Sequence, residues 1–293
     1  MTNSLPTTLP LSKLVTEMQE SATLKMAKMA RELKAQGKDV IDLSLGEPDF
    51  DTPVHIKEAA KKALDDGYTK YTPVNGLLEL RQAIVNKLAR ENDLHYTVNQ
   101  IVVSNGAKQS VYNLCMALLD PGDEVILPAP YWVSYAEIVK MAGGVPVIAN
   151  SSIEQDFKST PEEIEALITD RTKFILYSSP CNPSGSVFSF EELQALALML
   201  QAHEHVLVVS DEIYEHINFT DRHYTIASME GMKDRTVIIN GMSKGYAMTG
   251  WRLGYIAGPD WIADACTKIQ GQVTSGASSF GQKAAAVALE SDH

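Results

Sequence analysis

The sequence is poor in cysteine, in net positive charge and in long apolar runs, and each shortage excludes something. Three cysteines in 293 residues, Cys115, Cys181 and Cys266, stand far apart and are odd in number. They suit neither a disulfide framework nor a zinc site, so a reducing compartment, the cytoplasm, is expected. The formal net charge is −12. Nucleic acid and anionic membranes both select basic surfaces, so neither is expected as a partner. No apolar run approaches the roughly 18 residues of a spanning helix. The opening MTNSLPTTLPLSKL lacks a positive segment before an apolar one, and no arginine precedes Arg31. That speaks against a secretory or mitochondrial leader. His203 and His205 flank Glu204, but a spacing of two cannot put both rings on one helical face, and no metal site is expected.

What is present is patterned. Residues 1–15 are rich in Pro, Thr and Ser and predict an extended arm. Met18, Ala22, Met26, Met29 and Leu33 then recur at helical spacing, predicting one helix from Thr16 to a stop at Gly37. Helices are also predicted from about Val54 to Asp66 and from Gly76 to Glu91. From residue 101 onwards, short apolar runs alternate with helical stretches. The runs are IVVS (101–104), EVILP (124–128), VPVIA (145–149), KFILYSS (173–179), VLVVS (206–210), TVII (236–239) and LGYIA (253–257). Helices are placed at Ala107–Leu119, Tyr131–Met141, from near Pro161, Phe190–Ala202, Asp260–Gln270 and Phe280–Glu290. Such alternation marks an α/β fold, a mainly parallel sheet between two layers of helices. Too few residues separate the last two runs for a helical crossover, so the seventh strand is expected to be antiparallel.

Polar residues collect at the carboxyl ends of these runs, where open α/β sheets bind ligands. The loop between the last two strands reads GMSKGYAMTGWR and holds Ser243, Lys244 and Arg252. A lysine fixed there is either a solvated loop residue or an amine able to form a Schiff base, and Arg252 is either its activating cation or a phosphate holder. Ser104-Asn105-Gly106-Ala107-Lys108 joins a strand to a helix N-terminus, which suits an anion but also any ordinary junction. Asp211, closing a buried run ahead of Tyr214, is a helix cap or a ligand partner. Asn182-Pro183-Ser184-Gly185 is a turn or part of a site. Trp132 is a core aromatic or a stacking surface. An amine, a carboxylate, a phenol, an amide, an aromatic face and an anion cradle together suit pyridoxal phosphate, whose aldehyde needs a lysine and whose ring nitrogen needs a carboxylate.

GEPDF, KYTPVNG, SNGAKQ, PYWVSY, NPSG, SDEIYEH and SKGYAMTGWRLGY make the chain resemble the fold-type I pyridoxal-phosphate aminotransferases, the group of aspartate aminotransferases. The resemblance covers essentially the whole chain. It implies a seven-stranded α/β/α large domain over residues 49–293 and an N-terminal arm with part of a small domain over residues 1–48. It implies amino transfer between an L-amino acid, aspartate in the first instance, and a 2-oxo acid such as 2-oxoglutarate. Lys244 would be the Schiff-base lysine and Asp211 the partner of the ring nitrogen. Tyr214 and Asn182 would bond the ring oxygen, and Trp132 would stack on the ring. Gly106, Ala107, Lys108, Ser243 and Arg252 would hold the phosphate. Tyr71 would reach the phosphate of a second subunit in a homodimer, and Gly46, with Trp132 and Asn182, would contact substrate. A carbon–sulfur β-lyase and a non-catalytic binding fragment use the same fold and are the alternatives. The family's C-terminal small domain, with the arginine that clamps the substrate α-carboxylate, has no counterpart in these residues. The chain alone is therefore expected to bind the cofactor but to transaminate poorly.

Overall fold

The computed structural model describes residues 11–18, 20–220 and 222–291. By their internal contacts the residues fall into two units, Met1–Gly46 and Glu47–His293. Among the described residues the first unit holds two helices, α1 (Lys13–Glu17) and α2 (Ala22–Ala35), where one was expected. The Ser12 hydroxyl accepts from the Val15 amide at 3.3 Å and starts α1, and Met18 is extended, which ends it. The apolar spacing runs straight through this break, so periodicity alone hid it. Part of the predicted extended arm is thus helical, and residues 1–10 lie outside the described residues. Gly37, at φ +78°, follows α2 as predicted.

The second unit begins with α3 (Val54–Asp65) and α4 (Leu78–Asn92). Strand–helix alternation follows: β1 (Ile101–Ser104), α5 (Ala107–Leu118), β2 (Glu124–Pro128), α6 (Ser134–Met141) and β3 (Val145–Ala149). It continues with α7 (Pro161–Glu165), β4 (Thr172–Ser178), α8 (Phe190–Leu200), β5 (Leu207–Asp211), β6 (Thr236–Gly241) and β7 (Gly254–Ala257). Two helices, α9 (Asp260–Val273) and α10 (Ser279–Glu290), complete it. The sheet order is β1-β7-β6-β5-β4-β2-β3, with β7 antiparallel to both neighbours and the other pairings parallel. The antiparallel seventh strand is the one that loop length predicted. Helix α6 starts at Ser134 rather than Tyr131. The Ala129 amide still bonds to Ala149 at 2.8 Å, so the extended chain runs past β2 until Pro130, which lacks an N–H, ends the ladder.

Strand side chains alternate between two helical layers. Val103, Ile238 and Tyr255 pack with α3, α4 and α10, whereas Val102, Val237, Ile239 and Ile256 pack with α5, α6 and α9. Ile126, Ile175 and Val208 form a third cluster with α7 and α8. One buried charge cluster interrupts this core. Lys87 of α4, fully buried, is ion-paired with Glu215 and donates to Asn92 at 2.8 Å, and Asn240 of β6 donates to the same Glu215 at 2.8 Å. Glu215 is held below its usual range despite burial, because Lys87, His216 and His223 surround it. Two Glu/His groupings here, Glu91-Glu215-His216 and Glu212-Glu215-His223, are close enough for a cation. Lys87 already supplies one, so the cluster is read as an internal ion-pair network.

Candidate active site

Strands β1, β2, β3, β4, β5 and β6 end at one edge of the sheet, and β7 starts there. Asp211, the last residue of β5, is 4% exposed. One of its oxygens accepts from the Tyr135 hydroxyl at 2.6 Å and the other from the Ile213 amide at 3.2 Å. Burial pushes this carboxyl up to about 6, against the pull of those two bonds, with Glu212 adding to the rise. Lys244 lies three residues past β6 in a half-buried turn. Burial draws its ammonium below the ordinary lysine range, Glu47 opposes this, and Arg252 lowers it further. Its Nζ stands 5.5 Å from the centre of the Tyr214 ring. The Asn182 amide donates to the Tyr214 hydroxyl at 3.3 Å. Burial first, and then Asp211, push that phenol upwards.

An anion cradle lies beside them. Gly106 caps α5 with φ +84°, and a Cβ there would stand 2.2 Å from Nη2 of Arg252. A Cβ on Gly254 would stand 2.3 Å from the amide nitrogen of Ala107. These two glycines let β7 and Arg252 close onto the first turn of α5, whose free N–H groups favour an anion. Arg252 itself is left-handed, at φ 56°. It donates to the carbonyls of Thr249 at 3.0 Å and Asn105 at 3.4 Å. Lys108 lies 4.6 Å over the Trp132 ring, its ammonium drawn down by burial and then by Arg252. Gly106→Ala is expected to cost about 1–3 kcal/mol, since it strains the backbone and displaces the guanidinium. Urea denaturation checks this, and an unchanged midpoint would contradict the crowding described.

The structure therefore joins most of the residues picked out from the sequence. Lys244 lies over Tyr214, which bonds Asn182; Lys108 lies over Trp132, which Tyr135 links to Asp211; and Arg252 crowds Gly106, with Ala107 and Ser243 as chain neighbours of the group. Tyr71 is 99% exposed, and Gly46 is the last residue of the first unit. Trp132 is a half-buried ring packed against a core cluster. One participant was missed. Tyr135, three residues after Trp132, meets it edge-on at 5.5 Å and reaches Asp211. The signal was a phenol near a helix start, which resembles any core aromatic. Three cations, a helix N-terminus, a buried carboxylate and an aromatic rim at one sheet edge suit a flat, anionic heterocycle with a basic ring nitrogen.

Comparison with known proteins agrees with this geometry. Residues 38–293 match the family described as aminotransferase class I and II. The chain is 49% identical over 284 residues to the aspartate/prephenate aminotransferase of Nitrosomonas europaea, covering 96% of this chain and 72% of that protein. It is 50% identical over 280 residues to the bifunctional aspartate aminotransferase and glutamate/aspartate-prephenate aminotransferase of Petunia hybrida, covering 95% of this chain and 58% of that one. Among solved structures, the aspartate aminotransferase of Rhizobium meliloti superimposes with a TM-score of 0.94 at 45% identity, over 97% of this chain and 72% of the other. That of Thermus thermophilus with maleate gives 0.93 at 44%, over 97% and 73%. The chain belongs to the class I and II aminotransferases, enzymes that use pyridoxal 5′-phosphate.

Proposed function

We propose that the protein moves an amino group between L-aspartate and a 2-oxo acid, 2-oxoglutarate in the first instance, with Lys244 as the reacting amine. One observation carries this reading. A half-buried lysine and a buried aspartate, each with its charged form disfavoured by burial, lie at the same sheet edge as an anion cradle. Pyridoxal phosphate supplies an aldehyde for that amine and, once its ring is protonated, an acceptor for electrons. The chain's own residues do the rest. Lys244, with its ammonium weakened by burial and Arg252, is suited to take and return the substrate α-proton. Asp211 holds the proton at the ring nitrogen. Tyr214 and Asn182 bond the ring oxygen, and Trp132 covers the ring. The amides of Gly106 and Ala107, with Lys108, Ser243 and Arg252, anchor the phosphate.

The exposed Tyr71 suits a role in the site of a second copy, hence a homodimer. Gly46 joins Trp132 and Asn182 in contacting substrate. In this reading residues 49–293 are the cofactor-binding domain, residues 1–48 an arm and part of a small domain, and the protein works in the cytoplasm. The preference for a dicarboxylic substrate rests on the names of the relatives and on maleate, a dicarboxylate, in the Thermus structure. The test is incubation with pyridoxal phosphate, ¹⁵N-labelled L-aspartate and 2-oxoglutarate. The label is expected in glutamate, with oxaloacetate formed, faster than with free cofactor. Release of pyruvate and ammonia from sulfur amino acids, with no label transfer, would favour a β-lyase and overturn this reading.

A further inference from the structure

Tyr135 is the second residue of α6, is 1% exposed, and carries its hydroxyl from the helical layer to the end of β5. A phenylalanine would fill the same apolar space, so packing alone does not call for a phenol. The hydroxyl donates to Asp211 at 2.6 Å. Ser178 lies opposite Asp211 in the β4–β5 register. The Ser178 oxygen accepts from the Asn182 amide nitrogen at 3.3 Å. Asp211 is thus tied to α6 by Tyr135, and the Asn182 backbone to the end of β4 by Ser178.

Resting on the reading of Asp211 as the ring-nitrogen partner, we propose that Tyr135 is a positioning residue for the reaction. Its hydroxyl fixes the Asp211 carboxylate in one orientation and keeps it anionic for the cofactor. The phenol is a reliable donor, because burial and the adjacent Asp211 hold it well above the ordinary tyrosine range. The groups facing Asp211 are Tyr135 from α6, Ser178 from β4, Glu212 immediately after β5, and Ile213 and Tyr214 in the following turn, with the Cys181 thiol acting on both tyrosines. Tyr135 and the Ile213 amide oppose ionic loss, whereas burial and Glu212 favour it. A hydrogen bond to a charged group is worth enough to move a carboxyl by about one to two pH units.

The test compares wild type, Tyr135→Phe and Asp211→Asn, each freed of cofactor, by infrared titration of the protonated-carboxyl band. The part of that band lost in Asp211→Asn belongs to Asp211. Its midpoint is expected near pH 6 in wild type and about one to two units higher in Tyr135→Phe. Pyridoxal phosphate binding, followed by absorbance, is expected to weaken roughly 5- to 50-fold in Tyr135→Phe at pH 6 and to recover by pH 8.5. Coincident midpoints, or an affinity loss equal at both pH values, would overturn the proposal, since a packing role gives no pH dependence. Failure of the aminotransferase reading shows separately, as an Asp211→Asn protein that binds and processes cofactor like wild type. The infrared midpoints decide in either case whether Tyr135 controls Asp211.

Discussion

Lys244→Ala is expected to lower the rate of amino transfer by roughly 10⁴-fold or more while leaving the fold intact. A single positioned proton carrier contributes about 10²–10⁴-fold, and here covalent capture of the aldehyde is lost with it. The fold should survive because Lys244 sits in a half-buried turn beyond β6 and belongs to none of the three core clusters. Cofactor should still bind, more weakly, through Arg252 and the first turn of α5. The measurement is the amino-transfer rate beside a thermal melt of the same sample. A variant with a normal melt and a rate within tenfold of wild type would remove Lys244 from the mechanism.

Asp211→Asn is expected to reduce the rate by about 10²–10³-fold, the usual effect of losing one preorganised electrostatic partner. An amide cannot hold a positive charge at the ring nitrogen, so the ring loses its capacity to accept electrons. The same substitution carries a signature in the cofactor-free protein. Burial raises the Asp211 carboxyl from 3.8 to about 6, so the folded chain binds this proton more tightly than the unfolded one. Stability contributed by this group therefore falls as pH rises from about 4 to about 6, by about 3 kcal/mol. Asp211→Asn should lack that slope, and the cofactor-free variant should match or exceed wild-type stability above pH 6. Urea denaturation across this range checks it. A stability profile of the variant parallel to wild type would mean that Asp211 titrates at its ordinary value.

Residues at strand ends were readable because an apolar run with a polar final residue is a local pattern. VLVVSD and VIING announce both a buried strand and the point where the chain leaves the core, and so placed Asp211 and Lys244. The antiparallel β7 followed from a loop too short for a crossover. Tyr135 could not be found this way, because its value depends on how α6 docks on the sheet so that this hydroxyl reaches the end of β5. Lys87 shows the same limit. Local pattern gives no reason to bury a lysine of α4, and its partner Glu215 lies 128 residues away in sequence. The break between α1 and α2 was hidden by an apolar period that both helices share. Arg252 meeting Gly106 is again a contact of distant segments, visible in the sequence only as two glycines with unexplained positions.

The central claim is that one amine, that of Lys244, captures the cofactor. Two lysines approach the site, Lys244 5.5 Å from the Tyr214 ring and Lys108 4.6 Å from the Trp132 ring, so the claim can fail within the site itself. The direct measurement is borohydride reduction of the protein with pyridoxal phosphate bound, followed by peptide mass analysis. The account predicts one phosphopyridoxyl group per chain, on the peptide containing Lys244, with Lys108 unlabelled. Label on Lys108, or spread over surface lysines with Lys244 unmodified, would contradict it.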